Sequence, residues 1–330
     1  MPDKLLVSLE LCAGAGGQAL GIEQGGFDHA ACVELDPAAV ATLRANRPGW
    51  HPLEADVKDL RGADYRGIDL LAAGVPCPPF SIAGKQLGAD DERDLFPAVL
   101  RIIAEAKPRA VVLENVRGLA TVRFERYRRL LIAALEKAGY RSDWRVLNAS
   151  DFGVPQLRPR FILVALRPRD FGRFHWPDPV GPAPTVGEVL QRPMGSLGWA
   201  GADDWARAAN GIAPTLVGGS KKHGGPDLGP TRAKREWRAM RVDGMGLADL
   251  PPAADFDPAG LPRLTVGMAA RIQGFPADWK FEGRKTAAYR QVGNAFPPPV
   301  ARAVAIAVRE ALETKQRARL VEPAAHVLFA

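Results

Sequence analysis

Residues 5–19 read LLVSLELCAGAGGQA, and this stretch decides the fold expected for the chain. The apolar residues 5–11 predict a buried strand, the glycines after it predict a tight turn, and a helix is expected to begin near Gln18. Glycines let the backbone approach a ligand, and the free amides of a helix start point toward it, so this unit is typical of a nucleotide or cofactor cradle. The spacing Gly14-x-Gly16-x-x-Ala19 also matches the dinucleotide fingerprint, which keeps a nicotinamide-dependent oxidoreductase open as an alternative.

Six further strands are predicted, most of them separated by helices, which indicates an α/β protein. They are expected at residues 29–34, 52–55, 68–73, 110–113, 144–148 and 161–166. Because the strands of a parallel sheet end at one edge, where ligands bind, the residues at these ends should meet. The candidate functional residues at strand ends are Cys12, Glu34, Asp56, Cys77 and Glu114.

The length and composition of the chain indicate a large protein with an excess of basic residues. Its 330 residues exceed the usual size of one domain, and 47% hydrophobic residues can bury a sizeable core. The net charge of +7 favours a polyanionic partner. Because no apolar run approaches the roughly 20 residues of a membrane span, and residues 1–12 lack the pattern of a signal peptide, we expect a cytoplasmic protein with no membrane partner. Three cysteines without a CxxC spacing indicate neither a disulfide framework nor a metal site.

A cysteine between prolines marks residues 74–96, which read GVPCPPFSIAGKQLGADDERDLF. The prolines at 76, 78 and 79 remove backbone donors and forbid a helix or a central strand, so Cys77 should be presented on a rigid loop. Burial as a small hydrophobic residue is the alternative for a lone cysteine. The polar residues 81–94 are typical of a loop that closes over a substrate.

Three more charged residues stand where chemistry is expected. Glu114 follows directly on an apolar, β-branched run, which favours a functional carboxyl group over a solvated loop acid. Arg158 and Arg160 alternate with proline in an extended segment, so they are predicted to share one face. The alternative for these arginines is a solvated edge strand.

The α/β alternation stops between about residues 171 and 261, where proline, glycine and tryptophan become frequent. This stretch is a candidate second domain, and basic residues crowd its second half. Such charges are usually solvated or touch phosphate, but arginine can also pair bidentately with guanine. The candidate contacts to a polyanionic partner here are Lys221, Lys222, Arg232, Lys234 and Arg235, and with a nucleic acid one or two of the last three are expected at guanine edges.

Taken together, the motifs resemble those of the DNA cytosine-5 methyltransferases over nearly the whole chain and in that family's order. They are ELCAGAGG at 10–17, VELD at 33–36, EADV at 54–57, VPCPPFSIAGKQ at 75–86, ENV at 114–116, QLRPR at 156–160, RIQGFP at 271–276 and RQVGNAFPP at 290–298. The resemblance implies a Rossmann-like methyltransferase domain that uses S-adenosylmethionine, joined to a smaller, irregular target-recognition domain.

The resemblance also implies a reaction, methyl transfer to carbon 5 of a cytosine that is flipped out of a specific double-stranded DNA sequence. Carbon 5 is too poor a nucleophile by itself, so Cys77 would first add to carbon 6. Glu114 would protonate ring nitrogen 3, and Asn115 would shape the pocket. Arg160, with Arg158, would contact the base oxygen.

The cofactor site is assigned by the same resemblance. The cofactor is expected against Leu11, Cys12, Gly14 and Gly16, with Glu34 at the ribose hydroxyls and Asp56 and Val57 at the adenine. Its methionine end is expected near Gly74, Pro76 and Leu95, with Asn294 and Ala295 returning from the far end of the chain. The loop residues expected at the DNA are Ser81, Lys85, Gln86 and Arg93.

The expected organisation has three parts, with residues 1–170 catalytic and cofactor-binding, residues 171–262 recognising the target, and residues 263–330 returning to complete the first domain. The expected partners are double-stranded DNA and a separately encoded restriction endonuclease, and the chain is expected to be a monomer. Two alternatives stay open: a tRNA cytosine-5 methyltransferase and a non-catalytic DNA-binding module.

Overall fold

The structure, a computed structural model, describes residues 5–76, 94–218 and 226–313. The strands are β1 (Leu6–Leu11), β2 (Phe27–Glu34), β3 (Pro52–Glu54), β4 (Leu70–Gly74), β5 (Ala110–Val116), β6 (Arg141–Asn148) and β7 (Pro159–Leu166). The helices are α1 (Gly17–Gln24), α2 (Pro37–Asn46), α3 (Phe96–Ala106), α4 (Glu125–Lys137), α5 (Pro168–Phe171), α6 (Val186–Gly195), α7 (Ala202–Ala208), α8 (Thr231–Ala239), α9 (Val266–Ile272), α10 (Lys285–Asn294) and α11 (Pro298–Glu313).

Within the described residues the strands form one sheet in the order β3-β2-β1-β4-β5-β7-β6, and the predicted α/β class is confirmed. The prediction of a parallel sheet holds from β3 to β5 but is wrong for β7, which runs antiparallel to both β5 and β6. The reason is the connection, because β6 and β7 are joined without the long crossover helix that parallel neighbours need. The start of β7 therefore lies at the edge where β5 ends.

Helices cover both faces of the sheet, which explains why the central strands are apolar on both sides. On one face, Ile102 of α3 and Leu131 of α4 belong to a core with the odd-numbered residues of β1. On the other face, Ile22 of α1 packs in a core with Val300 and Val304 of α11. Both faces of the sheet are thus covered, and the ends of its strands are the part that remains open to a ligand.

The last described helix, α11, packs against the first helix, α1. A β-carbon on Gly21 would lie 2.4 Å from the β-carbon of Ala301, so glycine is required where the two helices cross. The stripe predicted on α11 is buried, with Val300, Val304 and Val308 nearly inaccessible. Residues almost 300 positions apart in the chain therefore share one layer.

After β7 the described chain is mainly helices and loops, and a second core forms there. Trp199, Trp205 and Trp237 are buried in it together with Leu216, and Leu43 of α2 belongs to the same cluster. The predicted domain boundaries at 170 and 262 stay predictions. None of the helices in residues 5–76, 94–218 or 226–313 has the length and apolar character needed to cross a membrane.

Candidate active site

The candidate site lies at the edge of the sheet where β1, β2, β4 and β5 end. In the parallel register, Gly74 at the end of β4 pairs with Glu114 of β5. Arg160 reaches the same edge from the start of β7, where it pairs with Val116. Because β7 runs antiparallel to β5, the arginine at the start of β7 lies at the same edge as the end of β5.

The glycine turn after β1 is shaped for close approach. Gly14 and Gly16 have φ angles of +53° and +84°, in the region that favours glycine. A β-carbon on Gly14 would meet no described atom within 4 Å, whereas one on Gly16 would lie 2.8 Å from Leu43 and 3.0 Å from Trp50. Gly16 therefore fits the turn against the core, and Gly14 faces open space.

Glu34 ties this turn to the end of β2. Its carboxylate accepts hydrogen bonds from the backbone amides of Gly14, Leu35 and Asp36, each at 2.8 Å. Oε1 accepts two of them and Oε2 one, so a carboxylate with about four acceptor directions keeps capacity for a hydroxyl group. Asp36 is occupied elsewhere, because its side chain caps α2 through the amide of Ala38.

The predicted adenine-side residues stand beyond β3, and the methionine-side residues flank β4 and α3. Asp56 is half-buried and accepts from the amide of Lys58, while Val57 is buried. Pro76 is exposed and Leu95 is half-buried just before α3. Asp56 and Val57 thus follow the end of β3, Pro76 follows the end of β4, and Leu95 precedes α3.

The far end of the chain packs against the first residue of α1, next to the glycine turn, and the assignment of Asn294 and Ala295 to the cofactor stays a prediction. A β-carbon on Gly17 would lie 2.3 Å from the carbonyl oxygen of Phe296 and 3.3 Å from the β-carbon of Ala295. Ala295 is buried and Asn294 is exposed. The junction of α10 and α11 is therefore seated on the first residue of α1.

Glu114 and Arg160 form a buried ion pair at the centre of the edge. Nε of Arg160 lies 2.9 Å from Oε1 of Glu114, and the side chains are 12% and 9% exposed. Burial raises the pKa of the Glu114 carboxyl, and the charges of Arg160 and Arg158 oppose that rise. Glu114 is therefore a carboxylic acid that retains its proton more firmly than a solvated glutamate does.

Asn115 and Asp94 make hydrogen bonds on either side of residues 77–93, which lie outside the described part of the chain. Nδ2 of Asn115 donates to the carbonyl oxygen of Val75, two residues before Cys77, at 3.2 Å. Asp94 accepts from the hydroxyl of Tyr127 at 2.5 Å and from the amide of Phe96 at 3.0 Å. The side chain predicted to shape the pocket thus also holds the backbone that leads into residues 77–93.

The predicted base contact of Arg158 is corrected by the structure. Its guanidinium is 1% exposed and donates to the carbonyl oxygens of Leu216 at 2.6 Å, Gly293 at 2.6 Å and Ala295 at 3.0 Å. Because these donors are committed to backbone acceptors, Arg158 joins the α10 end to the second core and does not face a substrate. Its charge still acts on Glu114.

Two of the three cysteines are described, and neither is a suitable nucleophile. Burial is the largest cause that raises the pKa of the Cys12 and Cys32 thiols, and the nearby carboxyl group of Glu10 adds to both shifts. Both therefore stay as neutral thiols. Cys77 lies outside the described residues, as do the other predicted contacts Ser81, Lys85, Gln86, Arg93, Lys221 and Lys222.

Helix α8 carries the described part of the predicted DNA contacts. Its buried side is Ala233 and Trp237, and Arg235 is exposed. Arg232 is 86% exposed and pairs with Glu236 in the next turn at 3.0 Å. Lys234 fits the prediction of a base contact poorly, because it is half-buried and its Nζ lies 2.7 Å from Asp227.

Two buried polar residues at this edge, Glu10 and Gln18, were missed in the sequence. They are 0% and 4% exposed, and none of their side-chain oxygen or nitrogen atoms has a hydrogen-bond partner in the described part of the chain. A signal existed for Glu10, since a charged residue within a strand expected to be buried on both faces is unusual. Gln18 carried no comparable signal.

Comparisons with known proteins agree with this geometry. The family model described as C-5 cytosine-specific DNA methylase matches residues 6–310. Type II methyltransferase M.NaeI of Lentzea aerocolonigenes is 56% identical over 94% of this chain and 76% of its own length. Type II methyltransferase M.NgoMIV of Neisseria gonorrhoeae is 52% identical over 93% of this chain and 98% of its own.

A solved structure shares the fold. It is a putative DNA modification methyltransferase encoded within a prophage (E. coli), with a TM-score of 0.63 and 20% identity. The match covers 93% of this chain and 99% of that one. The architecture therefore extends beyond the relatives that are similar in sequence.

Proposed function

Since the chain belongs to the family of C-5 cytosine-specific DNA methylases and is a DNA cytosine-5 methyltransferase, we propose how its residues divide the reaction. Cys77 is the nucleophile, Glu114 the acid, and Arg160 the cation that stabilises charge on the base. The buried Glu114–Arg160 pair beside Gly74 is the observation that carries this assignment. It places an acid with a raised pKa and a fixed cation at one edge.

The residues at the edge fit S-adenosylmethionine as the cofactor. The open space beside Gly14 gives room against the turn, and Glu34 has acceptor capacity for ribose hydroxyls. Leu11, Cys12, Gly16, Asp56, Val57, Gly74, Pro76, Leu95, Asn294 and Ala295 complete the proposed cradle. When bound there, S-adenosylmethionine supplies an electrophilic methyl group.

The protein's own groups activate the base and later release it. The thiolate of Cys77 forms a bond to carbon 6 while the proton of Glu114 passes to ring nitrogen 3, so carbon 5 becomes electron-rich. After methylation, carbon 5 loses its proton to water, the bond between carbon 6 and sulfur breaks, and nitrogen 3 returns its proton to Glu114. Arg160 stabilises the charge that develops in each direction.

The substrate is a base in double-stranded DNA, and the ring atoms are unreachable inside the duplex, so the target cytosine is flipped out. Arg232 and Arg235 on α8 are the described residues proposed to meet the DNA. The chain acts as a monomer in the cytoplasm, alongside a separately encoded restriction endonuclease. Its basic charge of +7 supports a phosphate-dominated interface.

A trapping experiment tests the assignment of Cys77. In duplex DNA with 5-fluorocytosine at the target, fluorine replaces the hydrogen that carbon 5 would lose after methylation. The protein should therefore remain covalently joined to this DNA when methyl donor is added. Mass spectrometry should locate the link at Cys77, and Cys77→Ser should form none. A link at another residue, or none in the unaltered chain, contradicts the assignment.

A labelling experiment can test whether this protein and M.NaeI methylate the same sites, even when neither target sequence is known. The alignment with M.NaeI spans 94% of this chain and so runs through most of residues 171–262. We expect DNA saturated with methyl groups by M.NaeI to accept no further label from this protein, whereas mock-treated DNA accepts it. Equal incorporation into both would show that the two enzymes methylate different sites.

A further inference from the structure

Glu10 and Gln18 lie behind the catalytic carboxyl group on the same side of the sheet. Glu10 pairs with Ala72 of β4, and Gly74, two residues further, pairs with Glu114. Residues paired across parallel strands, and those two apart, point to one face, so Glu10, Gly74 and Glu114 share a face. Gln18 belongs to α1, which covers that face.

Gly74 is the point where these side chains converge. A β-carbon placed on Gly74 would lie 3.4 Å from Oε1 of Gln18 and 3.7 Å from Oε2 of Glu114. Both oxygens are therefore within 4 Å of a common point. The carbonyl oxygen of Cys12 lies 3.5 Å from the same point, so three oxygen atoms face the space beside Gly74, and Gln18 donates there when the other end of its amide, Nε2, is turned toward it.

The two oxygens of Glu114 have different roles. Oε1 accepts from Arg160, which can only donate, so a proton on Glu114 resides on Oε2. Oε2 is also the oxygen of Glu114 that lies within 4 Å of the point at Gly74 beside which the amide of Gln18 stands. When the proton passes to the base, the new negative charge therefore develops on the side of Gln18 and Glu10.

Glu10 is a neutral carboxylic acid at this position. It is fully buried, and no described side chain offers it a counter-charge or a hydrogen bond, so an ionised form would be very costly. Burial, and next the charge of Glu114, raise the pKa of Glu10 in agreement with that geometry. A neutral carboxyl group has one O–H to donate, and the amide of Gln18 has two N–H groups.

We propose that Glu10 and Gln18 are positioning residues that donate hydrogen bonds, directly or through ordered water, toward Oε2 of Glu114 and stabilise its carboxylate as the proton moves to cytosine. Buried polar atoms in native proteins nearly always find such partners, and waters that bridge them are common. This inference rests on the proposed role of Glu114. It explains why two costly polar side chains stand in the apolar layer between α1 and the sheet.

Other titratable groups lie around Glu10 and Glu114, and the variants that are compared should leave all of them unchanged. Among the described residues, Cys12, Cys32, Arg158 and Arg160 interact electrostatically with Glu10 or Glu114. On β2, the ring of His29 contacts Ser8 and Ala19 instead, and Glu34 acts on Cys12. The residues of β4 and the first turn of α1 carry no ionisable side chain. The charged partners of Glu114 are thus the two arginines.

The test compares Glu10→Leu, Glu10→Gln and Gln18→Leu by the pH profile of kcat and by hydrogen exchange at carbon 5 of cytosine without methyl donor. Exchange requires the Cys77 adduct and the proton from Glu114. Loss of the donors should slow both processes about tenfold or more in Glu10→Leu and Gln18→Leu. Glu10→Gln keeps a donor and should recover most of the rate.

The alkaline side of the pH profile of kcat shows in which direction the pKa of Glu114 moves. Glu114 must be protonated to act, so kcat falls as pH rises through its pKa. Without donors to the carboxylate that pKa is higher, so the limb in Glu10→Leu should move to higher pH by about one unit. KM for DNA and cofactor affinity should change little, because neither residue is assigned to them.

A matched control uses the buried Asp170, whose partners are arginines at the opposite edge of the sheet. Asp170→Asn should lower the melting temperature and leave the alkaline limb in place, whereas Glu10→Leu should keep or raise the melting temperature. Should Glu10→Leu not fold, Gln18→Leu carries the same comparison. Normal exchange and an unmoved limb in the folded variants overturn the inference; no exchange or methyl transfer in the unaltered chain overturns the proposed function instead.

Discussion

At the residue scale, the proposed chemistry depends on a carboxyl group that is buried and yet stands beside a cation. Burial raises the pKa of Glu114, and Arg160 and Arg158 limit the rise. An acid balanced in this way can give its proton to the base and take it back within one turnover. The nearby thiols of Cys12 and Cys32 remain neutral and do not compete with Cys77.

Glu114→Gln should therefore slow methyl transfer by a factor on the order of a hundred or more, because the amide has no proton to give to ring nitrogen 3. Single-turnover incorporation of labelled methyl groups measures the effect. Glu136→Gln, on the exposed side of α4, is the control and should be silent. A variant at 114 that works within a fewfold of the normal rate would remove Glu114 from the mechanism.

At the element scale, single side chains join helices to the sheet edge. Arg158 connects the end of α10, the start of α11 and Leu216 through backbone carbonyl oxygens. Asn115 holds Val75, two residues before Cys77, by a hydrogen bond to its carbonyl oxygen. The position of Ala295 next to Gly17 therefore depends on Arg158, the residue directly before β7.

Arg158→Met should lower the free energy of unfolding by roughly 3 kcal/mol or more, because the buried carbonyl oxygens of Leu216 and Gly293 lose their donor and that of Ala295 keeps only the amide of Gln273. Cofactor affinity should fall as well, since Ala295 loses its support. Urea unfolding and calorimetric binding measure the two effects. Arg169→Met, with a side chain 57% exposed, is the matched control, and equal stability losses in both variants would contradict the bracing role.

Helix α8 presents Arg235 to solvent, and Arg232 lies one turn before it. Arg235→Ala should relax the sequence preference at one base pair by about 1–3 kcal/mol if its guanidinium reads guanine. Methylation of a randomised site library measures this preference. The charge-matched Arg169→Ala, at the opposite edge of the sheet, should leave it unchanged, and an unaltered preference in Arg235→Ala would assign the base contacts elsewhere.

At the scale of the whole molecule, the excess of positive charge should govern DNA binding. With a net charge of +7, the affinity for duplex DNA should fall linearly on a log–log plot against salt, with a slope that counts the phosphate contacts. Fluorescence anisotropy at several salt concentrations measures the slope. An affinity independent of salt would argue against an interface dominated by phosphates.

The family comparison also decides between the predicted alternatives. A match to the C-5 cytosine-specific DNA methylases over residues 6–310 is incompatible with a nicotinamide-dependent oxidoreductase or a non-catalytic module. It favours DNA over the tRNA alternative as well. The glycine turn, which by itself suited either a dinucleotide or an adenosine cofactor, could not have made that distinction.

The sequence by itself determined the fold class, the strand ends that carry Glu34 and Glu114, and the motifs that identify the family, because these depend on local periodicity and on neighbours a few positions away. Only the tertiary structure decided the direction of β7, the bracing role of Arg158 and the placement of Glu10 and Gln18 on the face of the sheet that carries Glu114. Arg158 and Gly293, for example, are 135 positions apart. Such contacts arise when helices pack on a sheet, and no local pattern encodes which distant atoms a buried side chain will meet.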